Sequence, residues 1–213
     1  MFVGNLDTFE EVANIKVVSA YQSADNKRWE VGRAETETCW WRSEDRTMTG
    51  SDARTDWRKI DLSIPSEAGG ALVRPVVFKD RLFVGWFEFP TEEDSTALFR
   101  LAHMRYDDSW SVPKAYPFQL SAPAAAGRPW RLIVTQYNVD TQLAVCLTDR
   151  DPATPATPAV DDLVLAIFED HSSGGEEALG DFTPAAALAR YYPVGTDVSV
   201  QDPWDGSSQP TSS

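Results

Sequence analysis

Two apolar runs, residues 72–78 (LVRPVVF) and 82–89 (LFVGWFEF), are separated by only Lys79, Asp80 and Arg81. Val, Phe and Trp fill both runs, and such side chains suit a pleated, half-buried surface better than a helix. So short a polar gap is a hairpin signal, although the Asn-Gly or Asp-Gly pair that would strengthen it is missing. The stretch from Trp57 to Phe89 is therefore expected to set the rest of the chain as antiparallel sheet.

The flanking sequence follows the same period. Residues 15–21 (IKVVSAY), 29–33 (WEVGR) and 39–42 (CWWR) outline a meander, and a polar loop at 43–56 leads to an alternating strand at 57–64. Further strands are predicted at 97–106, 130–137, 142–148 and 163–168. Helices are predicted at 5–13, where Thr8 and Glu11 have capping-box spacing, and at 185–192, where Thr183 and Pro184 supply N-cap and N1. The result is an all-β chain of antiparallel meanders, either propeller-type blades or a sandwich, with short helices near both ends. Residues 1–14 read as a helical lead-in and 15–200 as a single domain. Internal breaks are expected near 121–129 (Ala/Pro-rich) or 151–160, where Pro recurs every three residues. Residues 171–180 read as a mobile acidic loop, and 201–213 as a disordered tail apart from Trp204.

Charge narrows the function classes. The 213 residues carry a net charge of −14, and the last 65 hold 12 acids against two bases. An acidic surface repels phosphate backbones, which argues against nucleic-acid binding. No apolar stretch is long enough to span a membrane, and residues 1–14 lack the basic start of a secretory signal. Cys39 and Cys146 lack metal or redox spacing and read as buried thiols, and two histidines are too few for a His-based metal site. His103 reads as a cross-strand or core residue. No phosphate-cradling loop, nucleophile elbow or His-Glu-x-x-His pair occurs. The adjacent carboxylates at 92–93, 107–108, 161–162 and 176–177 fall in predicted loops. Glycoside hydrolysis needs two carboxylates facing across a sugar, about 5–10 Å apart. No catalytic, cofactor-binding or metal residue is therefore expected.

One turn is more informative. Tyr106-Asp107-Asp108-Ser109-Trp110 places a carboxylate where it accepts backbone N–H bonds, with an indole to pack under the next strand. It resembles a degenerate Asp-box, the structural turn between outer strands of sialidase-type blades, without that pattern's Gly. Four stretches then carry a wider resemblance: LDTFEEVANIKVVSAY at 6–21, WRKIDLSI at 57–64, LVRPVVFKDRLFVGWFEF at 72–89 and ALFRLAHMRYDDSWSVPK at 97–114. In this order they resemble the neuraminidase-like region of the large TcA-type subunit of bacterial insecticidal (ABC) toxin complexes, over about half the chain. Gly85 to Glu88 replaces the more usual Phe-Trp-Pro, Asp-Ser replaces Asn-Gly in the turn, and the acidic C-terminal half has no counterpart.

The resemblance implies a non-catalytic scaffold. It would be part of a shell around a translocation channel, opening on a pH change, secreted with its toxin complex and touching other domains or chains of it. Such subunits are far longer than 213 residues, so an excised domain, a truncated homologue and one gene of a split subunit all stay open. Trp57, Asp61, Arg74, Pro75, Arg81, Trp86, Asp107 and Trp110 are the structural or interface candidates. The alternatives are a carbohydrate-binding β-module, possible because eight Trp and six Tyr offer stacking surfaces, and an active sialidase. Arg74-Pro75 resembles part of a sialidase arginine motif, and nothing in the sequence completes it. No cofactor is expected, and a host-surface glycan is the remaining partner class.

Overall fold

The computed structural model describes residues 12–65, 72–89, 95–121, 128–137, 141–192 and 199–206. Three four-stranded antiparallel meanders follow one another along the chain. The first contains β1 (Lys16–Gln22), β2 (Lys27–Arg33), β3 (Cys39–Asp45) and β4 (Arg58–Lys59). The second contains β5 (Val73–Phe78), β6 (Arg81–Glu88), β7 (Thr96–His103) and β8 (Lys114–Gln119). The third contains β9 (Arg131–Tyr137), β10 (Gln142–Thr148), β11 (Asp162–Phe168) and β12 (Ser173–Gly174). Of the first strands, β5 lies against both β1 and β9. Three side-by-side meanders with their first strands together are arranged as propeller blades and not as a two-sheet sandwich.

The middle sheet explains why residues 72–89 are so apolar. One face (Val73, Val84, Trp86) packs on Val31, Trp41 and Ile60 of the first sheet. The other face (Val76, Phe83, Phe99) packs on Leu132, Val145 and Ile167 of the third. A strand buried on both faces cannot alternate apolar with polar, so its sequence reads as a near-continuous hydrophobic run. Gly85 fits the same crowding: a Cβ there would stand 2.6 Å from Cζ of Phe99, so the ring lies where any other side chain would be. On the far face of the third sheet, Ile133, Ala144 and Cys146 are covered by Leu179, Phe182 and helix α1 (Pro184–Tyr191). The Thr183 hydroxyl caps this helix by accepting from Ala186 N–H at 3.2 Å. Both cysteines are free and buried, and burial raises the pKa of each thiol.

Phe78 pairs with Arg81, so the central hairpin closes on two residues, Lys79 and Asp80. Both have left-handed backbone, with φ of 52° and 56°. This is the turn that matches strand twist and normally selects Asn-Gly. The double substitution Lys79→Asn/Asp80→Gly is expected to raise stability by about 1 kcal/mol, because Gly occupies positive φ without the Cβ penalty. A urea midpoint no higher than that of the parent would contradict this.

Several expectations need correction. The strand at 57–64 shrinks to the two residues of β4, paired with Trp40 and Trp41. Strand β8 was not foreseen because Pro117 interrupts it. At the sheet edge the proline's missing N–H costs no ladder bond, and Tyr116 and Phe118 point inward. The supposed acidic loop at 171–180 contains β12 and a 3-10 turn, Glu176–Leu179, anchored by fully buried Leu179. Residues 201–206, read as tail, are ordered. Strand β13 (Val200–Gln201) pairs parallel with β1, and Trp204 bridges to Tyr137. The predicted first helix, at 5–13, lies almost wholly outside the described residues, as do 207–213.

Candidate functional site

The turn after the third strand is built the same way in all three sheets. Asp45 Oδ1 accepts from Thr47 N–H at 2.9 Å and from its hydroxyl at 2.6 Å. Asp107 Oδ1 accepts from Ser109 N–H at 3.1 Å and its hydroxyl at 2.6 Å. Asp170 Oδ1 accepts from Ser172 N–H at 2.9 Å and its hydroxyl at 2.5 Å. The hydroxyl bond, followed by the N–H bond, holds each carboxyl below its usual range. Only the turn at Asp107 was singled out from sequence. The other two could have been found as Asp-x-Ser/Thr directly after a strand, a signal too short to stand out unless the blade boundaries are known.

The candidate residues do not converge on one site. Trp57 is half-buried and stacks under the Arg42 guanidinium, 4.2 Å from the ring centroid. Asp61 is exposed beyond β4. Arg81 lies over the Tyr106 ring at 4.5 Å, beside the Asp107 turn, and Trp110 packs from that turn against the core between the first and second sheets. Trp86 is 2% exposed and donates from Nε1 to Glu88 Oε1 at 2.9 Å. Pro75 sits on β5, an edge strand of its sheet, where its missing N–H is tolerated.

Arg74 is the exceptional residue. It is 1% exposed, donates from Nε to the Leu132 carbonyl of β9 at 2.7 Å and lies 5.0 Å from the Tyr192 ring centroid. Burial alone lowers its pKa to about 9. The same carbonyl accepts from the Tyr192 hydroxyl at 2.8 Å and from Gln201 Nε2 at 3.2 Å. Gln201 Oε1 in turn accepts from Val134 N–H at 2.8 Å. The side chain of Gln201 thus occupies the free edge of β9 while its backbone pairs with β1, joining the first and third sheets.

His103 and His171, the chain's two histidines, stack across the contact between the middle and third sheets with ring centroids 5.9 Å apart. Phe83 lies 5.3 Å and 6.2 Å from them. Burial, then Arg81, His171 and Arg105, lower the His103 pKa from 6.5. A folded-state pKa below the unfolded value means that the unfolded chain binds more protons between the two. Stability should therefore fall as pH drops below about 6.5. Tm measured from pH 7.5 to 5 is expected to decline less in His103→Gln than in the parent, and parallel declines would count against this role. Among the described residues no group of three or more His, Cys, Asp or Glu could hold a metal ion. Nor is any described helix long and apolar enough to cross a membrane.

Comparison with known proteins matches this geometry to a family. The family model described as neuraminidase-like domain matches residues 15–130, which cover the first two sheets. The toxin subunit YenA2 of Yersinia entomophaga is 27% identical over 134 residues, 51% of this chain and 10% of that protein. The cryo-EM structure of Morganella morganii TcdA4 shares the fold with a TM-score of 0.77 at 24% identity, covering 94% of this chain and 9% of that one. The shared fold therefore extends into the acidic C-terminal half, for which the sequence showed no counterpart. The chain spans about a tenth of the length of the relatives it matches. It belongs to the neuraminidase-like domain family.

Proposed function

We propose that the chain is a non-catalytic structural and interaction unit of a TcA-type toxin subunit. It would form part of a shell around a translocation channel, contact other domains or chains of the complex and be exported with it. The observation that carries this reading is the fate of Arg74. A sialidase arginine must meet an anionic sugar, whereas this guanidinium is enclosed by the Leu132 carbonyl and Tyr192. The other candidates serve packing and turns. In this reading a pH response would run through His103, whose ring stacks on His171. A fluorogenic sialoside should be hydrolysed no faster than in buffer, and measurable turnover would overturn the non-catalytic reading. In an assembled complex, cross-linking from the exposed Lys16, Lys59 and Lys79 should reach residues outside this domain. Links confined to the domain would argue against the scaffold role.

A carbohydrate-binding role has one observation in its favour. The β1–β2 and β5–β6 turns enclose a cavity of about 440 Å³ lined by Trp29, Asp25, Lys27, Lys79 and Asp80. An indole with a charge-balanced rim suits a neutral sugar better than an acidic one. A glycan array with no signal above background would remove this reading.

A further inference from the structure

We propose that Arg74 holds a small monovalent inorganic anion, chloride or one like it, where β5 lies between β1 and β9. A guanidinium that is 1% exposed has left water, yet among the described residues no carboxylate acts on it as a charged partner. Its Nε is committed to Leu132, while Nη1 is buried without an acceptor. The face of Tyr192 offsets only part of the charge. A buried cation left this way is costly unless a counter-charge accompanies it.

Two further buried hydroxyls belong to β1 and to the residue before β13, whose Gln201 reaches the same Leu132 carbonyl as Arg74. The hydroxyls of Ser19 and Ser199 are buried and have no partner. Ala20 pairs with Val200 and Tyr21 with Gln201, so the parallel register sets Ser199 beside Ser19. Alternate strand residues share a face, which points both serines the same way as Gln201. The Gln201 amide ends on the Leu132 carbonyl that Arg74 also reaches. The guanidinium can only donate and each hydroxyl can turn its proton toward an anion, while the positive charge of Arg74 repels a metal ion. The burial of Arg74 excludes a sugar acid or a side chain from another protein. Water could fill the hydrogen bonds but would leave the charge uncompensated.

The test is thermal unfolding of the 213-residue chain in sodium chloride, sodium bromide or sodium gluconate at constant ionic strength. Halide should raise Tm over gluconate by about 3–5 °C for each tenfold rise above the dissociation constant. Arg74→Met should abolish that difference. Should that variant not fold, Ser19→Ala/Ser199→Ala is expected to weaken the halide dependence. Bromide-grown crystals of the parent should show an anomalous peak within hydrogen-bond reach of Arg74 Nη1. Equal Tm in halide and gluconate, an unchanged halide response in Arg74→Met, or no bromide peak at Arg74 would each overturn the proposal. It is independent of the scaffold reading, which sialoside and cross-linking results decide.

Discussion

Replacing Trp86 by alanine is expected to lower stability by about 3–5 kcal/mol, near the upper end for a single core truncation. The indole is almost wholly buried between the first and middle sheets, against Val31, Trp41 and Ile60 of the neighbouring blade. Removing it leaves a cavity where one sheet grips the next. It also takes away the donor to Glu88, whose other oxygen accepts from Arg100 Nε at 2.9 Å. Trp86→Phe keeps most of the bulk and loses that bond, so a smaller loss of about 1–2 kcal/mol is expected. Urea unfolding followed by circular dichroism measures both. A loss below 1 kcal/mol for the alanine variant would mean that the first sheet does not depend on the middle one for its packing.

The second large effect lies where the chain passes from the middle sheet to the third. The Asp161 carboxylate is nearly sealed from solvent. It accepts from Ser121 N–H at 2.8 Å and from Arg128 Nη1 at 2.5 Å. Asp149 stands 3.7 Å from the same guanidinium. Ser121 and Arg128, at either end of the first stretch that sequence marked as a break, thus meet at the carboxylate that directly follows the second. Asp161→Ala is expected to cost about 3 kcal/mol, because it orphans the Ser121 N–H and leaves Arg128 with only the longer contact. Burial acts to raise the Asp161 pKa, but the bonds from Ser121 and Arg128 outweigh it and hold the carboxyl below 3.8. A depressed carboxyl stabilises the fold fully above the unfolded value, and the benefit is lost as pH falls through the folded one. The gap between parent and Asp161→Ala should therefore be widest near pH 7 and narrow below pH 3.8. A gap that does not change with pH would point to lost packing instead of lost charge.

How much of this was legible depended on the range of the interaction. The hairpin at 72–89 and the N-cap at Thr183 were readable because each depends on residues within a few positions. The single turn at Asp107 was also readable, but its repetition at Asp45 and Asp170 was not. Blade boundaries are defined by which strands pair, and the first and third turns lack a following Trp. Strand β8 was hidden because Pro117 is compatible with a strand only at an edge, and edge position is a property of the finished sheet.

Arg74 marks the division most clearly. By itself, the sequence determined that this arginine sits in a strand of an apolar hairpin, and that the hairpin belongs to a neuraminidase-like all-β chain. The strand placement follows from side-chain period and composition, which act locally, and the family from the resemblance of four stretches in order. Only the tertiary structure decided that the arginine is closed off. Leu132, Tyr192 and Gln201 arrive from far along the chain, and burial arises from long-range packing that no local pattern encodes. The apolar hairpin likewise proved to be the middle layer of three. Its near-continuous hydrophobicity reflects two neighbours, one on each face, that the hairpin's own residues cannot specify.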